Sequence, residues 1–122
     1  MKSYELRRFS MSPDDHWRMR HMVDAAEQAL AFVQGRQRAD LDTDAMLRLA
    51  LTRAVEIVGE AAAQVSDAGR NACPDVPWMQ IVGMRNRLVH AYFDINADIL
   101  WDTVHLALPG LLAQLRAPLR ES

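Results

Sequence analysis

Ten consecutive residues, Met84-Arg85-Asn86-Arg87-Leu88-Val89-His90-Ala91-Tyr92-Phe93, carry two guanidinium groups, a carboxamide, an imidazole and a phenol. Arginine presents a planar fork of donors that matches a phosphate or a carboxylate. Histidine, with an ordinary pKa of about 6.5, takes or gives a proton near neutrality. Arg85 and His90 therefore suit acid–base work at a group where negative charge builds up. Asn86 can orient the imidazole or hold an oxygen. An arginine and a histidine on one helix are commonly no more than a solvated pair. Here, however, Arg85, Asn86, Arg87 and His90 crowd a turn and a half, flanked by Leu88, Val89, Tyr92 and Phe93.

The helix that carries these groups decides which of them meet. On an ideal helix with Arg85 at zero, Asn86 lies near 100°, His90 near 140° and Tyr92 near −20°. Asn86 and His90 would share one face, four residues apart, and Arg85 and Tyr92 another, seven apart. Arg85 would have to reach around the helix to His90, or a second copy would supply the facing group in a symmetric dimer. Tyr92 also fits a plain core aromatic on the side of Ile81 and Leu88. Glu60, opposite the core arc of its own helix, is a candidate partner for Arg85 or for an arginine across a dimer, or a solvated carboxylate. His16 and His21 are five apart and make no metal pair; with His105 they read as surface residues. Cys73 has no basic neighbour closer than Arg70, so a reactive thiol is not expected.

The remaining segments read as helices. Ser12 caps the first, with Pro13 at its first position and Asp14 and Asp15 facing the positive end of its dipole. Met19, Met22, Val23, Ala26, Leu30 and Val33 follow at three- and four-residue steps, and Gly35 ends the helix. The second helix runs from about Asp44 to Val65 on a stripe of Leu47, Ala50, Leu51, Ala54, Val55, Val58, Ala61, Ala62 and Val65. Met46, Leu49 and Ile57 fall off that stripe, either as scattered surface apolars or as a second face for a dimer. Residues 67–77 carry loop signals in Gly69, Asn71, Pro74 and Pro77. Pro77 starts a third helix expected to run through Tyr92. Asn96 caps a fourth, built on Leu100, Val104, Ala107, Leu108, Leu111, Leu115 and Leu119, with a kink or break near Pro109. No strand is expected. The fold class is all-α, an antiparallel four-helix up-down bundle. Residues 1–122 form one domain, with 1–11 as a mobile leading segment.

Composition removes several function classes. The chain has 122 residues, half of them apolar and a quarter charged, with a net charge of −2. A pI near 6.0 argues against a general nucleic-acid coat, so any RNA contact needs a local basic patch. One cysteine excludes an internal disulfide and a thiolate cluster for zinc. With no signal-peptide core at the N-terminus and no apolar run near the ~20 residues of a membrane span, a soluble, cytoplasmic protein without a membrane partner is expected.

The stretch "MRNRLVHAY" resembles the R-x-x-x-x-H-x-Y motif of HEPN-domain proteins, including the asparagine that often follows the arginine. The nearest likeness is to HepT-like toxins of the HEPN/MNT toxin–antitoxin family. "VEIVGEAAAQVS", "PWMQIVGMRNRLVHAYFDIN" and "ILWDTVHLALPGLLAQL" extend it over about residues 14–119. The resemblance implies a metal-independent endoribonuclease without a cofactor, the toxin of a type VII-like pair, working as a homodimer whose motif lines the interface cleft. Carried over, Arg85, His90 and Asn86 are catalytic and act on RNA (tRNA or mRNA), with Glu60 and Arg87 in support. An MNT-type nucleotidyltransferase antitoxin would silence the enzyme by attaching AMP to Tyr92. The alternative is a non-catalytic HEPN module that binds a nucleotidyltransferase partner or a nucleotide. A dimeric helical adaptor with no nucleic-acid role is the third reading, and the low pI favours it mildly.

Overall fold

Ser12 opens the first helix as expected: its hydroxyl accepts from the Asp15 N–H at 3.1 Å, and Pro13 takes the first helical position. In this computed structural model, residues 11–91 and 94–121 are described, with the backbone alone for 89–91, 94 and 121. Residues 1–10, and with them nearly all of the proposed leading segment, lie outside the described residues.

Helix α1 spans Pro13–Phe32 and gives way at Gly35, whose φ of 70° is a left-handed conformation open to glycine. A short helix, α2 (Asp40–Thr43), leads into α3 (Ala45–Ala63), which starts on the Asp44 carboxylate accepting from Leu47 N at 3.0 Å. The predicted stripes face inward. Met19, Met22, Val23 and Ala26 of α1 pack against Leu51, Val55, Val58 and Ala62 of α3, all buried. Met46 and Leu49, off the stripe, are 82% and 60% exposed, and Ile57 is half-buried.

Residues 67–77 are not all loop. Ser66 caps a helix α4 (Asp67–Ala72), accepting from Gly69 N at 3.1 Å. Gly69 fits because its neighbours leave no room: a Cβ there would lie 2.6 Å from Asp15 Oδ2 and 2.8 Å from Val65 Cγ1. The third predicted helix is present in two short pieces, α5 (Trp78–Val82) and α6 (Met84–Leu88), joined at Gly83. It does not run through Tyr92. The Leu88 carbonyl accepts from Asn96 N at 3.0 Å instead of serving the next helical turn. Beyond it Val89–Ala91 (β1) pairs antiparallel with Asp94–Ile95 (β2), in an irregular register of Val89 opposite Ile95 and Ala91 opposite Asp94. The expectation of no strand is corrected by this one short ladder, and the molecule remains all-α in class.

Asn96 caps α7 (Ala97–Asp102), as read, by accepting from Ile99 N at 3.0 Å. The expected disturbance at Pro109 takes the form of a π-helical turn, Thr103–Ala107, that leads into α8 (Leu108–Glu121). Proline has no N–H, and its ring crowds the carbonyl four residues back. The wider turn absorbs this, with Leu108 N–H bonded to the Thr103 carbonyl, and the helix goes on without a break. Leu100, Val104, Leu108, Leu111 and Leu115 close the core from this side. Among the described residues no helix is long and apolar enough to cross a membrane.

Candidate functional site

Helix α6 is short, and two of its residues anchor it. Met84 and Leu88, four apart, are almost wholly buried. The three residues between them, Arg85, Asn86 and Arg87, are turned outward and exposed. Apolar residues at i and i+4 thus press the turn against the core, and the polar groups between are obliged to face solvent. The backbone of α3 comes close beneath: a Cβ on Gly59 would lie 3.4 Å from the Ile81 carbonyl oxygen at the end of α5.

Arg85 is held by a residue that the sequence reading missed. Its Nε donates to Glu56 Oε2 of α3 at 2.9 Å. The Arg85 side chain is half exposed and that of Glu56 is mostly covered. Tying Nε to a carboxylate fixes the guanidinium plane and leaves the terminal NH groups without another partner among the described residues. Arg85 is therefore presented with part of its fork available to an anion. Glu60 does not reach it within the chain and instead accepts from Arg53 at 3.3 Å, both side chains exposed. Glu56 and Glu60 lie one turn apart on the same outward face of α3, and nothing in the spacing favours one over the other as the partner.

Arg87 takes a different direction. It borders a groove of about 360 Å³ between α5–α6 and the π-helical turn, beside Gln80, Met84, Leu106 and Gly110. His90 lies in β1, so the helical angles that grouped it with Asn86 do not hold past Leu88. Its side chain, and the whole of Tyr92, lie outside the described residues. Arg85, Asn86 and Arg87 are thus brought to one exposed turn that ends three residues before His90.

The other candidates settle as surface or core groups. His21 and His105 are exposed, each with its ring 4.0 Å from a tryptophan, Trp17 and Trp101. Cys73 is buried 3.8 Å from Met19 Sδ, and burial pushes its thiol pKa up, away from reactivity.

The family model described as ribonuclease HepT-like matches residues 22–117. A candidate RNase of Caldanaerobacter subterraneus subsp. tengcongensis is 33% identical over 84% of this chain and 92% of its own length. A candidate RNase of Methanocaldococcus jannaschii is 34% identical over 74% of this chain and 83% of its own. A protein of Thermococcus cleftensis, named probable ribonuclease HepT, is 36% identical over 59% of this chain and 66% of its own. No solved structure matches the chain.

Proposed function

Since the chain belongs to the HepT-like ribonuclease family, we propose that it is a metal-independent endoribonuclease acting through Arg85, Asn86 and His90 in a cleft between two copies. The observation that supports this best is Arg85, exposed on an anchored turn with its Nε tied to Glu56 and its remaining donors available.

In the proposed reaction the His90 imidazole takes the proton of a ribose 2′-hydroxyl. The 2′-oxygen then attacks the adjacent phosphorus, the bond from phosphorus to the 5′-oxygen breaks, and the leaving oxygen takes a proton from a His90 imidazolium, which returns the imidazole to its neutral form. Both chains formed keep the full set of atoms, one ending in a cyclic phosphate and the other in a 5′-hydroxyl. Arg85 binds the non-bridging oxygens and gains strength as charge builds there. Asn86 orients the imidazole or holds a phosphate oxygen. Arg87 supplies a further positive charge along the strand, while Glu56 steadies Arg85 and Glu60 pairs with Arg53.

The partner half of the proposal is an MNT-type nucleotidyltransferase antitoxin that attaches AMP to the Tyr92 hydroxyl. The linkage adds about one negative charge and the bulk of a nucleoside, both opposed to RNA phosphate beside Arg85. One experiment covers both halves: RNA cleavage by wild type, Arg85→Lys and Tyr92→Phe, each with and without partner, ATP and Mg²⁺, with intact mass followed. Arg85→Lys should be nearly inactive, because a point charge does not replace the fork. Wild type should gain mass in AMP-sized steps and fall silent, while Tyr92→Phe gains none and stays active. Full activity in Arg85→Lys would overturn the nuclease mechanism. Silencing without a mass change would overturn the covalent control.

A further inference from the structure

A second cavity, of about 370 Å³, lies between α1 and α3. Its walls include Trp17, Arg18 and His21 from α1 and Arg53, Ile57 and Glu60 from α3, with the Glu60 carboxylate on Arg53 to be displaced or turned aside by a phosphate. Trp17 is 53% exposed, unusual for the largest apolar side chain, which proteins generally cover. His21 lies against it with ring centroids 4.0 Å apart. The Arg18 guanidinium stands 5.0 Å from the indole centroid, and its Nε is buried with no hydrogen-bond partner among the described residues. Arg53 is exposed and makes a 3.3 Å contact to Glu60 among the described residues.

We propose that this cavity is a nucleobase subsite, in which a base of single-stranded RNA stacks on Trp17 beside His21 while Arg18 and Arg53 take the neighbouring phosphates. The inference rests on the nuclease reading above and extends it. A half-exposed indole flanked by arginines is a combination by which proteins hold unpaired bases, because every base has a π-face and every linkage a charge, and a base entering here would take the place of the His21 or Arg18 group now against the ring. A volume in the range of small-ligand pockets accommodates a base. Its position fits as well. Arg53, which borders the cavity, and Glu56, which holds Arg85, are three residues apart on α3, so their Cβ atoms are about 5–6 Å from each other. The ridge of α3 thus separates cavity and motif by little more than one helix width. A strand whose phosphate sits on Arg85 can cross that ridge and place a nearby base on Trp17. The molecule is acidic overall, so its hold on RNA has to come from local groups of this kind.

The test uses the full chain and a short single-stranded oligoribonucleotide with 2′-O-methyl groups throughout, which the proposed mechanism does not cut. Binding is followed by tryptophan fluorescence and by anisotropy of a labelled strand, and cleavage of unmodified RNA is measured in parallel. Wild type should show saturable quenching. Trp17→Ala should bind about tenfold or more weakly with its helical circular dichroism intact. Trp17→Phe should keep most of the affinity but lose the quenching, since Trp78 and Trp101 remain as the emitters. Arg53→Gln should flatten the dependence of log affinity on log salt by about 0.7. If wild type cleaves RNA while Trp17→Ala and Arg53→Gln bind as wild type does, the subsite is overturned and the nuclease reading stands. If Trp17→Ala binds RNA normally but turns a dimer into a monomer, the face is an interface between copies and the subsite is again overturned. Wild type that neither cleaves nor binds would overturn the nuclease reading and the subsite together.

Discussion

Single residues carry two different kinds of work in this chain. Arg85, Asn86 and Arg87 are exposed, and their types alone singled them out for the proposed chemistry. Asp15 is structural, and its importance was not legible. The sequence marks it as an acidic residue in the first turn of a helix, a favourable but ordinary place. In the structure it is buried and joins two helix starts 51 residues apart, accepting from Ser66 N at 2.9 Å and Ser66 Oγ at 2.5 Å. Burial by itself would raise its pKa, but the bonds from Ser66, then Ser12 and the nearby Arg18 charge, outweigh it and hold the carboxyl below the ordinary 3.8. A lowered folded pKa means a contribution to stability that is present above about pH 3.8 and is lost as the pH falls through the folded value. Asp15→Ala should therefore cost about 1.5–3 kcal/mol at neutral pH, since it leaves buried donors unpaired. The gap between its unfolding midpoint and that of wild type should narrow in acid. A deficit that stays constant down to pH 2 would contradict the assignment. Glu56 was missed for a similar reason: pattern places it on an outward face, and only the tertiary fold chooses it over Glu60 for Arg85.

Elements were legible where a helix holds its pattern over many turns and less so where local bonds compete. The stripes of α1 and α3 and the caps at Ser12 and Asn96 were written in the spacing. The end of the third helix was not, because a backbone bond decides it: the Leu88 carbonyl goes to Asn96. Helix α4 was hidden by turn-forming residues, and glycine is there because Asp15 leaves no room for a Cβ. The π-helical turn was foreseen as a disturbance at Pro109 without its form. These details position the site. Helix α6 has five residues and would not persist alone. Its placement depends on Met84 and Leu88. Leu88→Ala should cost about 2–5 kcal/mol in urea unfolding, as a truncation at a buried site does. At temperatures where the fold persists it should also reduce RNA cleavage, although Leu88 touches no substrate. Normal activity in a clearly destabilised Leu88→Ala would mean that the motif does not depend on α6 being seated.

At the scale of the whole molecule, the outward side of α3 is the feature to explain. It carries exposed Met46 and Leu49 at one end, half-buried Ile57 further along, and Glu56 with its hold on Arg85. A two-fold axis near the Met46 and Leu49 end of this face would bury those two side chains and bring two copies of the motif together, leaving Arg53 and Ile57 to the cavity beside α1. The sequence singled out these apolar residues from their angle on the helix, though a lone chain does not say what covers them. Light scattering should give about twice the 13.8 kDa chain mass, and Met46→Lys with Leu49→Lys should return it to one chain and lower activity with it. A wild-type monomer at micromolar concentration would contradict the shared cleft. The central claim is that His90 and Arg85 cut RNA without a metal ion, and one assay addresses it most directly: RNA cleavage by the purified chain in excess EDTA, wild type beside His90→Ala. The account predicts undiminished cleavage by wild type, fragments ending in cyclic phosphate, and no cleavage by a His90→Ala protein of normal helical content. Cleavage abolished by the chelator, or normal cleavage by His90→Ala, would contradict it.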